Sequence, residues 1–102
     1  MKVTMTEILD DLRAADEITR RFERHYWLSS ADFYALYQSG QLDDGEHLED
    51  FSMWAAYHEI KQEREADLQA LSHARLEQLR AESKDKPLVL DPPEPSLQVT
   101  AG

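Results

Sequence analysis

The chain has 102 residues, enough for one domain, with 41% hydrophobic and 31% charged residues and a formal charge of −10. It has no cysteine, so disulfides and thiolate metal sites are excluded, and its first residues are too polar for a signal peptide. Apolar runs are only a few residues long, which excludes a membrane span and leads to the expectation of a cytoplasmic protein.

The first predicted element is a helix over about residues 6 to 24. Thr4-Met5-Thr6-Glu7 has the Thr-x-x-Glu form of a capping box. Ile8, Leu12, Ala15, Ile18 with Thr19, Phe22 and Tyr26 then recur at steps of three and four and make one apolar stripe. Asp16 with Arg20, and Glu17 with Arg21, are acid-before-base pairs four apart on an exposed face.

A second, shorter helix follows Trp27-Leu28. Ser29 or Ser30 is its expected cap, Asp32 sits near the positive end of its dipole, and Gly40 stands where a left-handed C-terminal cap is expected. Residues 41–45 then read as a loop, with Leu42 tucked beneath it. The third helix is expected to begin near Glu46, with Asp44 as cap, and to run to about Ala81 because no proline interrupts it before Pro87. At about 1.5 Å per residue it is on the order of 50 Å long and overhangs the core made by the first sixty residues.

All four prolines lie after Lys86. Residues 83–102, with Asp91-Pro92-Pro93-Glu94-Pro95 at their centre, read as a flexible, disordered tail, leaving 1–82 as the helical domain. The expected fold is therefore all-α: two short-to-medium helices packed on a long third helix, with a disordered proline-containing C-terminal tail.

Charge is distributed unevenly. Residues 1–24 carry five bases and six acids, and residues 61–86 carry six of each. From 25 to 60 there is no Lys or Arg, yet that stretch holds seven acids and eight of the nine aromatics. Such a centre repels phosphates, which argues against direct nucleic-acid binding there, and attracts a basic protein.

Little points to catalysis or to a cofactor. His25, His47, His58 and His73 are 22, 11 and 15 residues apart, so no two share a helical face at three or four apart, and Glu-x-x-His never occurs. The acids from Asp43 to Asp50 do not follow the alternating oxygen pattern of a calcium loop; a solvated loop and a negative helix start explain them. No phosphate loop or nucleophile elbow is present.

Phe22, Tyr26, Phe33, Phe51 and Trp54 fall on helical stripes and read as core. Tyr and Trp are the residues interfaces favour as anchors, and Trp27, Tyr34 and Tyr57 lie off the main stripes. Those three, with Asp43, Asp44, Glu46, Glu49 and Asp50, are the candidate partner-binding residues. Leu68, Leu71, Leu76 and Leu79 form a row that could serve as a short seam for self-association, dock on another protein, or only cover a solvated extension.

One stretch resembles a known family. Phe22-x-x-x-Tyr26-x-Leu28-Ser29-Ser30-x-x-Phe33-Tyr34-x-x-Tyr37-x-x-Gly40-x-Leu42-x-Asp44, followed by Glu49-Asp50-Phe51-x-x-Trp54-Ala55, is similar to small prokaryotic antitoxin-like proteins over about residues 18–80. The resemblance implies a non-catalytic partner that neutralises a basic, nuclease-like toxin encoded beside it, with no catalytic residues to carry over. The competing expectation is a structural or adaptor protein that forms a homodimer through its third helix.

Overall fold

The computed structural model describes residues 2–43, 45–90, 92 and 98–100. Its first helix, α1 (Met5–Tyr26), starts where the capping box requires. Thr4 Oγ1 accepts from the Glu7 N–H at 3.2 Å, and the Glu7 carboxylate accepts from the Thr4 N–H at 3.1 Å. Ile8, Ala15, Thr19 and Phe22 are its buried stripe. Thr19 can lie inside because its hydroxyl donates to the Asp16 carbonyl at 3.2 Å.

The second helix, α2 (Ser30–Gln38), is capped by Ser29, whose Oγ accepts from the Asp32 N–H at 3.1 Å. Its end is a Schellman motif. The Gly40 N–H reaches the Tyr37 carbonyl at 3.3 Å, the Gln41 N–H reaches the Leu36 carbonyl at 3.2 Å, and Gly40 holds a φ of +72° that its missing Cβ permits. Leu42 folds back against the core, as expected.

The third helix, α3 (Leu48–Ser83), is 36 residues long, about 54 Å at the standard rise, and it sets the 59 Å long axis of the molecule. It begins two residues later than the expected Glu46. His47 stands at the N-cap without a side-chain cap bond, and Asp44, the expected cap, lies outside the described residues. Helix α3 ends at Lys84 and Asp85, both in the left-handed region, just before Pro87.

Two cores form along α3. The larger joins Phe22 of α1, Phe33 of α2, and Phe51, Trp54 and Ala55 of α3, so all three helices meet there. Phe33 lies flat on Trp54, with ring centroids 3.8 Å apart and planes 1° from parallel, and Phe22 stacks on the indole at 5.6 Å. The aromatics read as core from their stripes take up these places, with Tyr26 half-buried beside them.

The smaller core joins Val3, Ile8 and Leu71. Val3 belongs to β1 (Lys2–Thr4), which pairs antiparallel with β2 (Gln98–Thr100) in the register Lys2↔Thr100, Val3↔Val99, Thr4↔Gln98. The helical part of the fold is as expected; the two-stranded ribbon is an addition. The flexibility expected of residues 91, 93–97, 101 and 102 concerns positions outside the described residues.

Between the cores, α1 and α3 are tied by charge. Lys61 Nζ donates to Asp16 Oδ1 at 2.9 Å, and Arg64 bridges Asp11 at 2.8 Å and Asp67 at 2.7 Å. Asp16 also takes its expected partner Arg20, at 3.4 Å; Glu17 pairs with Arg13 at 3.8 Å, not with Arg21.

Candidate partner-binding surface

The C-terminal end of α1 and the N-terminal end of α3 meet at Tyr26. Its hydroxyl donates to Asp50 Oδ2 at 2.5 Å and lies 3.2 Å from His47 Nδ1, and its ring stacks on Trp54 at 5.7 Å. Partial burial and the Asp50 carboxylate push the Tyr26 hydroxyl up to about 12. Among the candidate acids, Asp50 is therefore a latch between helices, half-buried and engaged.

The other described acids at this end are exposed. Asp43 accepts the Gly45 N–H at 3.2 Å within its turn, Glu46 Oε2 stands 4.0 Å from His47 Nε2, and Glu49 lies in the first turn of α3. Two apolar side chains that the periodicity did not single out join them: Leu48 is 54% exposed and Met53 is 51% exposed. Met53 carried a signal, since it precedes the core position Trp54 by one residue and so points about 100° away from it. Leu48 did not, since it stands three before Phe51 and seven before Ala55, on the inward stripe, in the first turn of α3.

Trp27 follows Tyr26 directly, so it is placed at the same end. It is 85% exposed, and its backbone sits in the left-handed region at φ 59°, ψ 41°, where its N–H closes α1 on the Glu23 carbonyl at 2.8 Å. That position favours glycine, because a Cβ is crowded there.

Tyr34 and Tyr57 lie elsewhere, on α2 and along α3, and both are half-buried. Tyr34 donates to Glu59 Oε1 at 2.6 Å, accepts from Gln38 Nε2 at 2.9 Å, and rests on the ring of His58 at 4.9 Å. The Glu59 bond raises its pKa, with burial adding to it. Its polar tip is thus spent within the chain.

The leucine row points largely inward. Leu71 is 2% exposed in the smaller core, Leu68 packs against the same core, and Leu76 and Leu79 are half-buried. Leu79 lines a shallow cleft with Pro87 and Val89. A seam between two copies would need Leu68 and Leu71 outward, whereas β1 and Ile8 occupy them.

His25, His47 and His73 are exposed. His58 is half-buried with its Nδ1 unsatisfied; burial, and secondarily Lys61, holds its pKa below the usual histidine range. Among the described residues no three His, Asp or Glu side chains converge as ligands for a metal ion, and no helix is long and apolar enough to cross a membrane.

Comparison with protein-family models, with curated proteins and with solved structures returns no match.

Proposed function

We propose that the chain is a non-catalytic binding protein that neutralises a basic protein partner, in the manner of the antitoxin-like proteins it resembles. The observation that carries this reading is Trp27. An indole held in the left-handed region costs about 1 kcal/mol in backbone strain, and at 85% exposure no burial within the chain offsets it. A residue that the fold would be better off without is explained by what it touches in another molecule.

Its surroundings fit a basic partner. Asp43, Glu46 and Glu49 are exposed at or near the end of the molecule where Leu48 and Met53 leave apolar surface open. The acids speed encounter with a cationic surface, and the indole and its apolar neighbours anchor the complex.

The test is genetic and then physical. The neighbouring gene should encode a small basic protein that is toxic when expressed alone and harmless with this chain. Trp27→Gly should abolish that protection while the purified variant melts no lower than wild type. Protection that survives Trp27→Gly together with neutralised Asp43, Glu46 and Glu49 would overturn the reading.

A further inference from the structure

Between α1 and the first turns of α3 lies an open cleft of about 520 Å3, lined by Arg21, Phe22, Arg24, His25, Asp50 and Met53. In a chain with 21 acids against 11 Lys and Arg, most cations are spoken for. Arg13, Arg20, Arg64 and Arg80 each have a carboxylate within 4.0 Å. Arg21 and Arg24 are exposed and have no ion-pair partner among the described residues. The one acid in the cleft, Asp50, is held by Tyr26. The cleft thus offers two free guanidinium groups beside the apolar surface of Met53, and it fits an apolar segment that carries acids.

The chain itself contains one. Leu88, Val89 and Leu90 are 47%, 69% and 73% exposed, and Asp91 and Glu94 follow in the sequence. The segment cannot reach the cleft of its own molecule. Met53 and Ser83 are thirty residues apart on one helix, about 45 Å, and the five residues from Ser83 to Leu88 span at most about 17 Å when extended.

We infer that residues 88–94 of a second copy occupy this cleft, with the leucines against Met53 and the acids against Arg21 and Arg24. Two chains running antiparallel exchange these segments reciprocally, so both clefts fill and the pair closes. Exposed ion pairs are individually weak; the apolar contact gives the association most of its strength, and the charges fix its register. The contact is separate from the leucine row of α3; it shares Met53 with the proposed partner surface, whereas Trp27, Asp43, Glu46 and Glu49, on which that reading rests, do not line the cleft.

Sedimentation of the full chain tests it. Wild type should approach twice the 11.8 kDa chain mass as concentration rises through about 10 µM to 1 mM. Leu88→Ser with Leu90→Ser should weaken the pair at least tenfold or so. Arg21→Glu with Arg24→Glu in one chain, and Asp91→Lys with Glu94→Lys in another, should each leave a monomer with unchanged helical circular dichroism. Mixed in equal amounts, these two variants should dimerise, because each cleft then meets a tail of opposite sign. Wild type that stays monomeric, cleft variants that pair as tightly as wild type, or a mixture that stays monomeric would each overturn the inference. A mass climbing beyond two copies would overturn the closed pair.

Discussion

The indole N–H of Trp54 donates to the hydroxyl of Ser30 at 2.8 Å, and both residues are buried. The bond continues through all three helices. The Ser30 N–H donates to Glu23 Oε2 at 2.8 Å, and Arg20 Nη1 donates to Glu23 Oε1 at 2.9 Å. One serine thus satisfies the only polar atom of the largest core side chain and fixes α2 on α1.

Ser30→Ala removes the acceptor and leaves a buried N–H without a partner. The expected loss is about 2 kcal/mol, within the usual range for orphaning a buried donor. It should appear as a lower denaturation midpoint at constant slope. Trp54→Phe keeps an aromatic ring on Phe33 but gives up the N–H. In a double-mutant cycle the two substitutions should therefore couple by about 1 kcal/mol. Additive effects would mean that the bond contributes nothing of its own.

The Tyr26 latch makes stability sensitive to alkali. Its folded pKa is raised to about 12 from an ordinary 10.0, so the folded state keeps the proton longer than the unfolded chain does. Its contribution is complete below pH 10 and is lost as pH rises from 10 toward 12. Tyr34, raised by Glu59, acts in the same direction. Tyr26→Phe should cost about 1–2 kcal/mol at neutral pH, through loss of a bond to a carboxylate, and should flatten the decline above pH 10 relative to wild type. Equal alkaline slopes in the two proteins would rule the latch out as its cause.

Acid acts through different groups. The folded-state pKa of His58 is depressed below 6.5, mainly by burial, so its contribution is present above that value and falls away as pH drops below it. Asp16 is lowered chiefly by its bond to Lys61. In Glu23, burial alone would raise the pKa, but the bonds from Ser30 and Arg20 outweigh it. Both carboxylates therefore contribute stability above their ordinary range near pH 4 and lose it as pH falls further. His58→Leu removes the unsatisfied Nδ1 together with the titration. The variant should be at least as stable as wild type at pH 7 and should lose the shallow decline that sets in as pH falls below 6.5. Persistence of that decline would place it on another group.

What could be read from the sequence was local. The capping box of α1, the serine cap and Gly40 motif of α2, and the aromatic stripes are set by residues a few positions apart, and each forms as expected. The β1–β2 ribbon pairs residues nearly the whole chain apart, in strands of three residues that are too short to show a period of two. Helix α3 starts two residues past the expected Glu46, because His47 caps it without a side-chain bond and no capping residue marks the boundary. Leu68 and Leu71 were open between an inward and an outward role because that same ribbon decides which way they face. Trp27 could be flagged as off the stripe. Its left-handed backbone could not, since that conformation runs against the preference of any residue with a Cβ.

Asp50 and Glu49 are neighbours in the sequence, where nothing separates them as candidate partner contacts, but they should respond differently to the same chemistry. Asp43, Glu46 and Glu49 are exposed, so changing them to Asn, Gln and Gln should shift stability by no more than about 0.5 kcal/mol. With the basic partner in hand, stopped-flow association should slow about tenfold at low salt, and its dependence on ionic strength should flatten, because steering charge has been removed. Asp50→Asn takes away the carboxylate that holds Tyr26 at 2.5 Å. It should lower stability by about 1–2 kcal/mol and change the association rate least of the four. If Asp50→Asn slowed association as much as the others while leaving the melting temperature intact, the carboxylate would belong to the partner surface and not to the latch.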